Sequence, residues 1–449
     1  MHIGTHNRSR SNANTWAFAM VAFPMQALYM AVAVYLPQYY ASTLGMELAY
    51  IGMVFALVRI LDLPVDPLLG LFIDKTNTQQ NNYRIWLISG VPITMAAVYM
   101  LFMASASDTL TSIAFWLLLM YLGSSMITLA HSAWAANIST SYQERSSIFA
   151  AIGTSGVAGM TLLFAMPLLV DNPDGSSMAV PAMGWFILLS TPIAVALAML
   201  WSPTPKLYEA LVTPEKLSSY WGLLRHKNMG RIFIAMLLFT TGTAWEGSLF
   251  IFYFSDGRGF SVADASTLLI FALGAGLVGA PAAARLASVV SKHVAVMIFA
   301  IAYAAALASL SLVPVSDKLL SSAPVIITGF LYAGFHVLLR SMTADVIDEI
   351  RLAEGRDKSA MLYALLTLAP KIAAASAIGL TFWILSLIDY QAEPGAANSS
   401  ATIANLQIAY LLGPISFILI GAACIIGYDL GPKRTAKIRQ ELDSNTLRG

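Results

Sequence analysis

The sequence predicts an all-α integral membrane protein with twelve transmembrane helices in two six-helix halves, and three observations lead to this fold class. Of the 449 residues, 58% are hydrophobic and only 11% are charged, whereas soluble domains usually carry about 25% charged residues. Apolar segments of about 20 residues, each long enough to cross a bilayer, recur along the whole chain. Lys and Arg concentrate in alternate loops, as is typical of membrane proteins.

The apolar segments define the predicted helices. The first segment follows the polar residues 1–13, and it is too long and lacks the small-residue cleavage site of a signal peptide, so we expect it to remain as the first helix. The twelve predicted spans are 14–41, 47–74, 83–104, 110–138, 146–170, 181–201, 228–254, 261–290, 293–313, 321–349, 358–388 and 402–428.

The longest polar segment between helices divides the chain into halves. We expect an N-terminal half over 1–201, a cytoplasmic central loop over 202–227 and a C-terminal half over 228–449 with a short cytoplasmic tail. Two six-helix halves that rock against each other are the arrangement of major facilitator transporters. The sequence therefore predicts a major facilitator fold.

The basic residues predict the orientation in the membrane. If both termini are cytoplasmic, 20 of the 25 Lys and Arg residues lie on the cytoplasmic side, two lie on the opposite side and three lie within helices, as the positive-inside rule requires. We therefore expect a multi-pass protein of the inner (plasma) membrane with both termini cytoplasmic. The net charge of +1 gives no sign of a nucleic-acid partner. We also expect the protein to be a monomer.

The segment RILDLPVDPLLGLFIDKT (59–76) places charges inside an apolar span. Arg59, Asp62, Asp66 and Gly70 are spaced by three, four and four residues, so on one regular helix they share a face. A charge at the bilayer centre costs about 2.5 to 3.5 kcal/mol, so we expect this face to point away from lipid. Two carboxylates there can coordinate a cation or share a proton. An internal ion pair with Arg59 that only holds helices together is the structural alternative.

The second half carries Lys371, about a third of the way along the predicted span 358–388. Its ammonium is a candidate switch that pairs with one of the aspartates in one state of the carrier. A lysine that snorkels to the interface is the alternative.

The other polar or aromatic side chains within spans are candidates for a substrate pocket. A His bonded to a neighbouring helix and a Trp used in packing are equally ordinary explanations, and Glu246 stands within about two turns of a helix end, where it could reach water. The candidates are Gln26, His131, Trp134, Trp245, Glu246, His336 and Arg340.

Signals for catalysis and for resident cofactors are missing. The single Cys424 excludes a disulfide framework, and no Cys/His cluster has metal-ligand spacing. The sequence has no Ser-His-Asp arrangement, HExxH or P-loop, so we expect neither an enzyme nor an ATP-driven pump. No cofactor is expected, and no metal beyond a transported sodium ion.

Three motifs are similar to those of the glycoside-pentoside-hexuronide:cation symporters, the melibiose-permease branch of the major facilitator superfamily. The first is the 59–76 segment with its continuation YRIW. The second is AWAANISTSYQERSSIFA, and the third is RSMTADVIDEIRLAEGRDKSAMLYALLTLAPKIAA. Because the motifs lie in both halves, the resemblance covers nearly the whole chain.

This resemblance implies that Asp62 and Asp66 are cation ligands and that Lys371, with Arg59, helps to couple the cation to the substrate. In the cytoplasmic motifs it suggests five gating residues, which are Asp74, Glu144, Arg145, Asp345 and Asp348.

Several positions depart from the pattern of the sugar-transporting members. Where those members have an aspartate on the first helix, this chain has Gln26. At four further positions, where those members have polar or charged residues, this chain has apolar ones: Val65, Ile127, Ala130 and Ile152. A proton needs no cage of oxygen ligands, so these losses favour proton over sodium coupling, although backbone carbonyls and water could complete a sodium site.

The leading functional hypothesis is cation-coupled import of a small polar solute, most simply a sugar or glycoside. A carrier of lysophospholipids or other amphipathic solutes within the same family is the alternative, because the sugar-type carboxylates are missing. A non-transporting membrane sensor is a third hypothesis, and a sensor has no need of a carboxylate pair in the membrane.

Overall fold

The computed structural model describes residues 14–76, 82–105, 107–138, 142–170, 178–202, 222–315, 317–354, 359–392 and 396–446. Within these ranges, twelve helices are long and apolar enough to cross a membrane. In chain order they are α1 Asn14–Ser42, α2 Leu48–Gly70, α3 Tyr83–Phe102, α4 Leu110–Ala135, α5 Ser147–Val170, α6 Ala179–Trp201, α7 Lys227–Ser255, α8 Val262–Val290, α9 Lys292–Leu312, α10 Lys318–Glu354, α11 Leu368–Leu387 and α12 Ser400–Ile425. The twelve predicted spans are confirmed, with boundaries that mostly differ by a few residues.

Some helices extend beyond their apolar spans. The helix of α2 continues to Thr76 and that of α4 to Ile138. The helix of α5 begins at Tyr142 and that of α11 at Ser359. A final polar helix, α13, covers Pro432–Thr446.

The chain forms two compact units. One comprises Met1–Leu211 with Gln391–Ala397, and the other comprises Val212–Tyr390 with Asn398–Gly449. The first boundary falls among residues 203–221, which lie outside the described residues, so the predicted limits of the central loop stay a prediction.

The core of the first unit is a cluster in which all six of its membrane helices meet. Trp134 of α4 is fully buried in it. Its other buried members are Phe18, Val21, Met25, Ile73, Tyr83, Leu87, Ile127, Ala130, Ala135, Ile148, Val195 and Ala198. Because lipid tails are as apolar as these side chains, close van der Waals packing is what holds the helices together in this cluster.

In the second unit, α8 and α10 pack with their backbones in close approach. A Cβ atom at Gly279 of α8 would collide with the backbone carbonyl of Phe330 on α10, and one at Gly329 would collide with Ala272. Small residues at such crossings are typical of membrane helix pairs, because they let van der Waals contacts form between backbones.

This crossing gives a stability prediction. Gly279→Ala should destabilise the protein by about 1 to 3 kcal/mol, because the added methyl has to push the two helices apart. Gly274→Ala is the matched control on the same helix, since a Cβ there meets no neighbouring heavy atom within 4 Å. Thermal unfolding of the purified protein in detergent measures both variants. Equal melting temperatures for the two variants would contradict the close packing.

The polar α13 is anchored to the second unit by an ionic cluster. Arg434 pairs with Asp429 and with Glu349 of α10, each at 2.7 Å, and Asn228 of α7 donates hydrogen bonds to both carboxylates at 2.7 and 3.0 Å. Burial tends to raise the pKa of Asp429, but the hydrogen bond from Asn228 and the charge of Arg434 outweigh it and lower this pKa. The ionised cluster therefore holds α13 at neutral pH and weakens in acid.

Candidate cation-coupling site and pocket residues

Helix α2 has one buried and one exposed side, and Asp62 lies on the buried one. The buried positions recur every three or four residues, as one helix face does. They are Ile51, Phe55, Val58, Asp62, Leu69 and Ile73. The exposed positions are large and apolar, which suits contact with lipid hydrocarbon. They are Met53, Leu57, Ile60, Leu61, Leu68 and Phe72. The expectation that Asp62 points away from lipid is consistent with this pattern.

The helix is interrupted between the two aspartates, which corrects the expectation of one regular helix over 59–70. One segment ends at Asp62 and the next begins at Val65. Pro64 has no N–H to donate to Ile60 and cannot continue the ladder, and the N–H of Leu63 donates to the carbonyl of Ile60 instead, at 3.3 Å. Asp62 therefore sits at the C-terminal end of one segment and Asp66 in the first turn of the next.

Asp62 is only 2% exposed and has an ionic partner on its own helix. Arg59 Nη1 lies 3.8 Å from Asp62 Oδ2, with both side chains largely buried. This distance is an ion pair rather than a hydrogen bond. The Arg59 guanidinium also lies over the ring of Tyr121 on α4, 4.1 Å from its centroid. A cation–π contact of this kind can hold the arginine in place.

Asp66 is partly buried one turn beyond the interruption. Two of the positions that depart from the family pattern lie on α2 and α4. Val65 directly precedes Asp66, and Ile127 of α4 is buried in the hydrophobic cluster. Neither side chain has an oxygen atom, so neither can serve as a ligand to a hard cation.

His131 and Trp134 of α4 make packing contacts. His131 Nε2 lies 2.9 Å from the carbonyl oxygen of Phe18, and its ring stacks on the Phe18 ring with centroids 4.2 Å apart. Phe18 meets Trp134 edge-on, and the Arg84 guanidinium lies 5.2 Å from the Trp134 ring centroid. This geometry favours the packing alternative for both residues, while their role in a pocket stays a prediction.

Gln26 of α1 is exposed. Its side chain lies beside Gly156 of α5, where an added Cβ would come within 2.7 Å of the Gln26 Cγ. The absence of a side chain at Gly156 thus leaves room for Gln26, and Gln26 remains a pocket candidate.

In the second unit, Trp245 and Glu246 of α7 are both buried. Trp245 Nε1 donates to the carbonyl of Ala409 at 3.0 Å, and its ring lies against Gly413 of α12. Glu246 accepts hydrogen bonds from Tyr303 of α9 and from Tyr410 of α12. The alternative in which Glu246 simply reaches water is therefore wrong, because α9 and α12 cover it.

The remaining intramembrane candidates of the second unit lie on α10 and α11. His336 is partly buried and meets the Tyr332 ring edge-on at 5.1 Å, whereas Arg340 is exposed one turn further along. Lys371 is partly buried and follows Pro370 within α11. Their roles in binding or coupling stay predictions.

Of the five predicted gating residues, Asp345 has the clearest partner. Lys292, at the start of α9, donates to Asp345 Oδ2 at 2.6 Å and to the carbonyl of Ser341 at 3.1 Å. Asp348 is partly buried on α10. The side chains of the other three, Asp74, Glu144 and Arg145, lie outside the described residues.

The structure also identifies residues that the sequence did not single out. Tyr121 supports Arg59, Lys292 pairs with Asp345, and Tyr303 and Tyr410 bind Glu246. Only Lys292 had a visible signal, a basic residue at the start of a predicted span. In the part of the chain that the structure describes, no group of three or more His, Cys, Asp or Glu side chains could hold a metal ion.

Structural comparisons agree with the predicted fold. The crystal structure of the nucleoside transporter NupG superimposes with a TM-score of 0.70 at 13% identity, covering 92% of this chain and 98% of that one. A bacterial homologue of the human lysosomal transporter Spinster gives a TM-score of 0.62 at 13% identity, with 98% of both chains covered. At these identities the likeness establishes the fold alone, and the major facilitator fold is confirmed.

Sequence comparisons identify the family. The chain is 22% identical over 402 residues to the putative glycoside/cation symporter YagG of Escherichia coli (strain K12), covering 86% of this chain and 85% of that protein. It is 24% identical over 431 residues to the uncharacterized symporter YjmB of Bacillus subtilis (strain 168), with 91% and 90% covered. The isoprimeverose transporter of Lactiplantibacillus pentosus is 23% identical over 191 residues, 41% of this chain and 39% of that protein.

The family model of MFS/sugar transport proteins matches residues 17–431, nearly the whole chain. The resemblance to glycoside and cation symporters is thereby confirmed. This chain, a multi-pass membrane protein, belongs to the MFS/sugar transport protein family.

Proposed function

We propose that this protein is a secondary active symporter that couples the import of a sugar or glycoside to the entry of a cation. The observation that carries the proposal is Asp62, a carboxyl buried in a membrane helix that is interrupted immediately after it. A charge in this position is costly to insert into the membrane, and a role in cation binding explains why the chain carries it. The names of the relatives, a glycoside/cation symporter and an isoprimeverose transporter, support the substrate class.

The coupling cation in this proposal is a proton, taken up by Asp62 and Asp66. In this proposal, each transport cycle brings one positive charge to the carboxyl pair, and protonation of one carboxyl is the simplest way to supply it. A proton supplies this charge without oxygen ligands, and Val65 and Ile127 offer none. Lys371 is proposed to link cation occupancy in the first unit to substrate binding. No resident cofactor and no catalysis are part of this function.

Transport in proteoliposomes tests the proposal. A thermal-shift screen of the purified protein against sugars, glycosides and lysophospholipids first selects a ligand. Uptake of that ligand should then follow an inward proton gradient in the absence of sodium, and a protonophore should abolish accumulation. Accumulation that needs sodium and ignores the protonophore would overturn proton coupling, and stabilisation by lysophospholipids alone would overturn the substrate class.

We infer that the protein works as a monomer in the inner membrane, with both termini cytoplasmic and without a nucleic-acid partner. The charge distribution predicts that a cysteine introduced at Ser218, in the central segment outside the described residues, is cytoplasmic. In a Cys424→Ser background, an impermeant thiol reagent applied to intact cells should not label Ser218→Cys. The control Ser107→Cys, between α3 and α4, should be labelled. Labelling in the reverse order would overturn the orientation.

A further inference from the structure

Glu246 is a buried acid that is not part of the proposed coupling site. It lies nine residues before the end of α7 at Ser255, which corresponds to about 14 Å of helix at 1.5 Å per residue. It is 9% exposed and belongs to the second unit, whereas Asp62 and Asp66 belong to the first. A buried carboxyl in a membrane helix requires a specific explanation, because its charged form is expensive there.

Hydroxyl groups from three other helices converge on this carboxyl. Tyr303 of α9 donates to Oε2, and Tyr410 of α12 donates to Oε1 at 3.5 Å. Thr328 of α10 also lies close to the carboxyl, and its own hydroxyl donates to the carbonyl of Val325 at 3.0 Å. One side chain of α7 therefore joins helices α9, α10 and α12.

The groups around Glu246 are almost all neutral. Tyr332 of α10 interacts electrostatically with Tyr303. Tyr253 stacks on Tyr410 with ring centroids 3.9 Å apart. Among the described residues, no Lys, Arg or His side chain of any helix forms an ion pair with Glu246.

Arg258 is a buried cation beside this cluster, and its donor groups are already used. Its Nε donates to the Tyr253 hydroxyl at 3.1 Å, and its Nη1 donates to the carbonyls of Val313 and Pro314 and to the Ser321 hydroxyl. Its Nη2 donates to the carbonyl of Leu310. Arg258 contacts Tyr253, Tyr253 stacks on Tyr410, and only Tyr410 of these three residues bonds to Glu246.

Such surroundings accommodate a carboxyl in both of its protonation states. Hydroxyls donate to an ionised carboxylate, and a tyrosine or threonine oxygen can instead accept a hydrogen bond from a protonated carboxyl. Neither state leaves a buried polar atom without a partner, so neither is excluded by the cost of an unmade hydrogen bond. A basic partner would have fixed the ionised state, and a purely apolar pocket would have fixed the neutral one.

We propose that Glu246 is a second proton-binding site of this protein, located in the second unit and independent of the aspartates of α2. The proton comes from water and returns to water, with no other atom exchanged. When the carboxyl ionises, its hydroxyl partners become donors to one negative charge, and charge-assisted hydrogen bonds are stronger than neutral ones. Proton occupancy of Glu246 thus sets how tightly α7, α9, α10 and α12 are held together.

Infrared difference spectroscopy of the purified protein, without substrate, tests this site directly. Spectra recorded at acid minus alkaline pH should contain a C=O stretching band of a protonated carboxyl that disappears in Glu246→Gln and shifts in frequency in Glu246→Asp. Asp62→Asn should keep the Glu246 band, which separates the two sites. A spectrum of Glu246→Gln identical to that of the wild type would overturn the proposal.

A second pair of variants keeps the test decisive if Glu246→Gln does not fold. Tyr303→Phe removes one donor to the ionised carboxyl, so the midpoint of the band should move to higher pH by about one to two pH units, which corresponds to one hydrogen bond to a charged group. Tyr332→Phe, whose hydroxyl does not bond to Glu246, is the matched control and should leave the midpoint in place. Equal midpoints for the two variants would overturn the proposal. Because no substrate is present, failure of sugar transport leaves this result unaffected.

Discussion

Asp62→Asn should abolish accumulation of the transported solute, so that the ratio of internal to external solute falls to about one, the limit of a carrier without an energy input. Asparagine keeps the size of the side chain but cannot take up a proton or pair with Arg59. Accumulation in proteoliposomes under a proton gradient, compared with the rate of exchange, is the measurement.

The variant should still insert and fold. Asparagine avoids the insertion cost of a charged aspartate, about 2.5 to 3.5 kcal/mol. Arg59 loses its ionic partner but keeps its contact with the Tyr121 ring. The matched control is Asp108→Asn, an acid of the loop before α4 that accepts a hydrogen bond from the Ser105 backbone. The control should accumulate solute like the wild type, and accumulation at the wild-type level in Asp62→Asn as well would remove Asp62 from the coupling site.

Asp66→Asn should have the same effect if the two carboxyls act as a pair. The two aspartates lie on different helical segments, because α2 is interrupted after Asp62. The variant therefore tests whether they act together. If only Asp62→Asn abolishes accumulation, Asp62 alone binds the cation and Asp66 serves another purpose.

The sequence predicted the fold well because the relevant information is local. Whether a segment can span a bilayer depends on about 20 consecutive residues, and each of the twelve predicted spans corresponds to a helix of the structure. The interruption of α2 was also encoded locally, by Pro64 and Pro67. The spacing argument overlooked it because it assumed 3.6 residues per turn throughout.

The environment of each polar residue was much harder to predict. Tyr303 and Tyr410 are 57 and 164 residues from Glu246 in the chain, and Lys292 is 53 residues from Asp345. No periodicity in the sequence records such contacts, because they depend on how the helices pack. The same holds for Trp134, for which the sequence left a substrate pocket and helix packing open and which lies in the buried cluster.

Lys371→Ala should separate coupled from uncoupled transport. The Lys371 ammonium is a positive charge that stays in the carrier, whereas the coupled cation binds and leaves in each transport cycle. Without this charge, the substrate-bound carrier can still change conformation, but binding of the cation and of the substrate no longer depend on each other. We therefore expect Lys371→Ala to lose accumulation against a gradient while it keeps counterflow, which needs only binding and exchange.

Two comparisons make the Lys371 test specific. Lys371→Arg keeps the charge and should retain part of the accumulation, although arginine does not reproduce the compact ammonium. A lysine that merely snorkels to the interface predicts instead that both variants resemble the wild type. Counterflow and accumulation should be measured for both variants in the same proteoliposomes. Full accumulation by Lys371→Ala would exclude Lys371 from the coupling mechanism, and equal loss of counterflow and accumulation would place it in solute binding rather than in coupling.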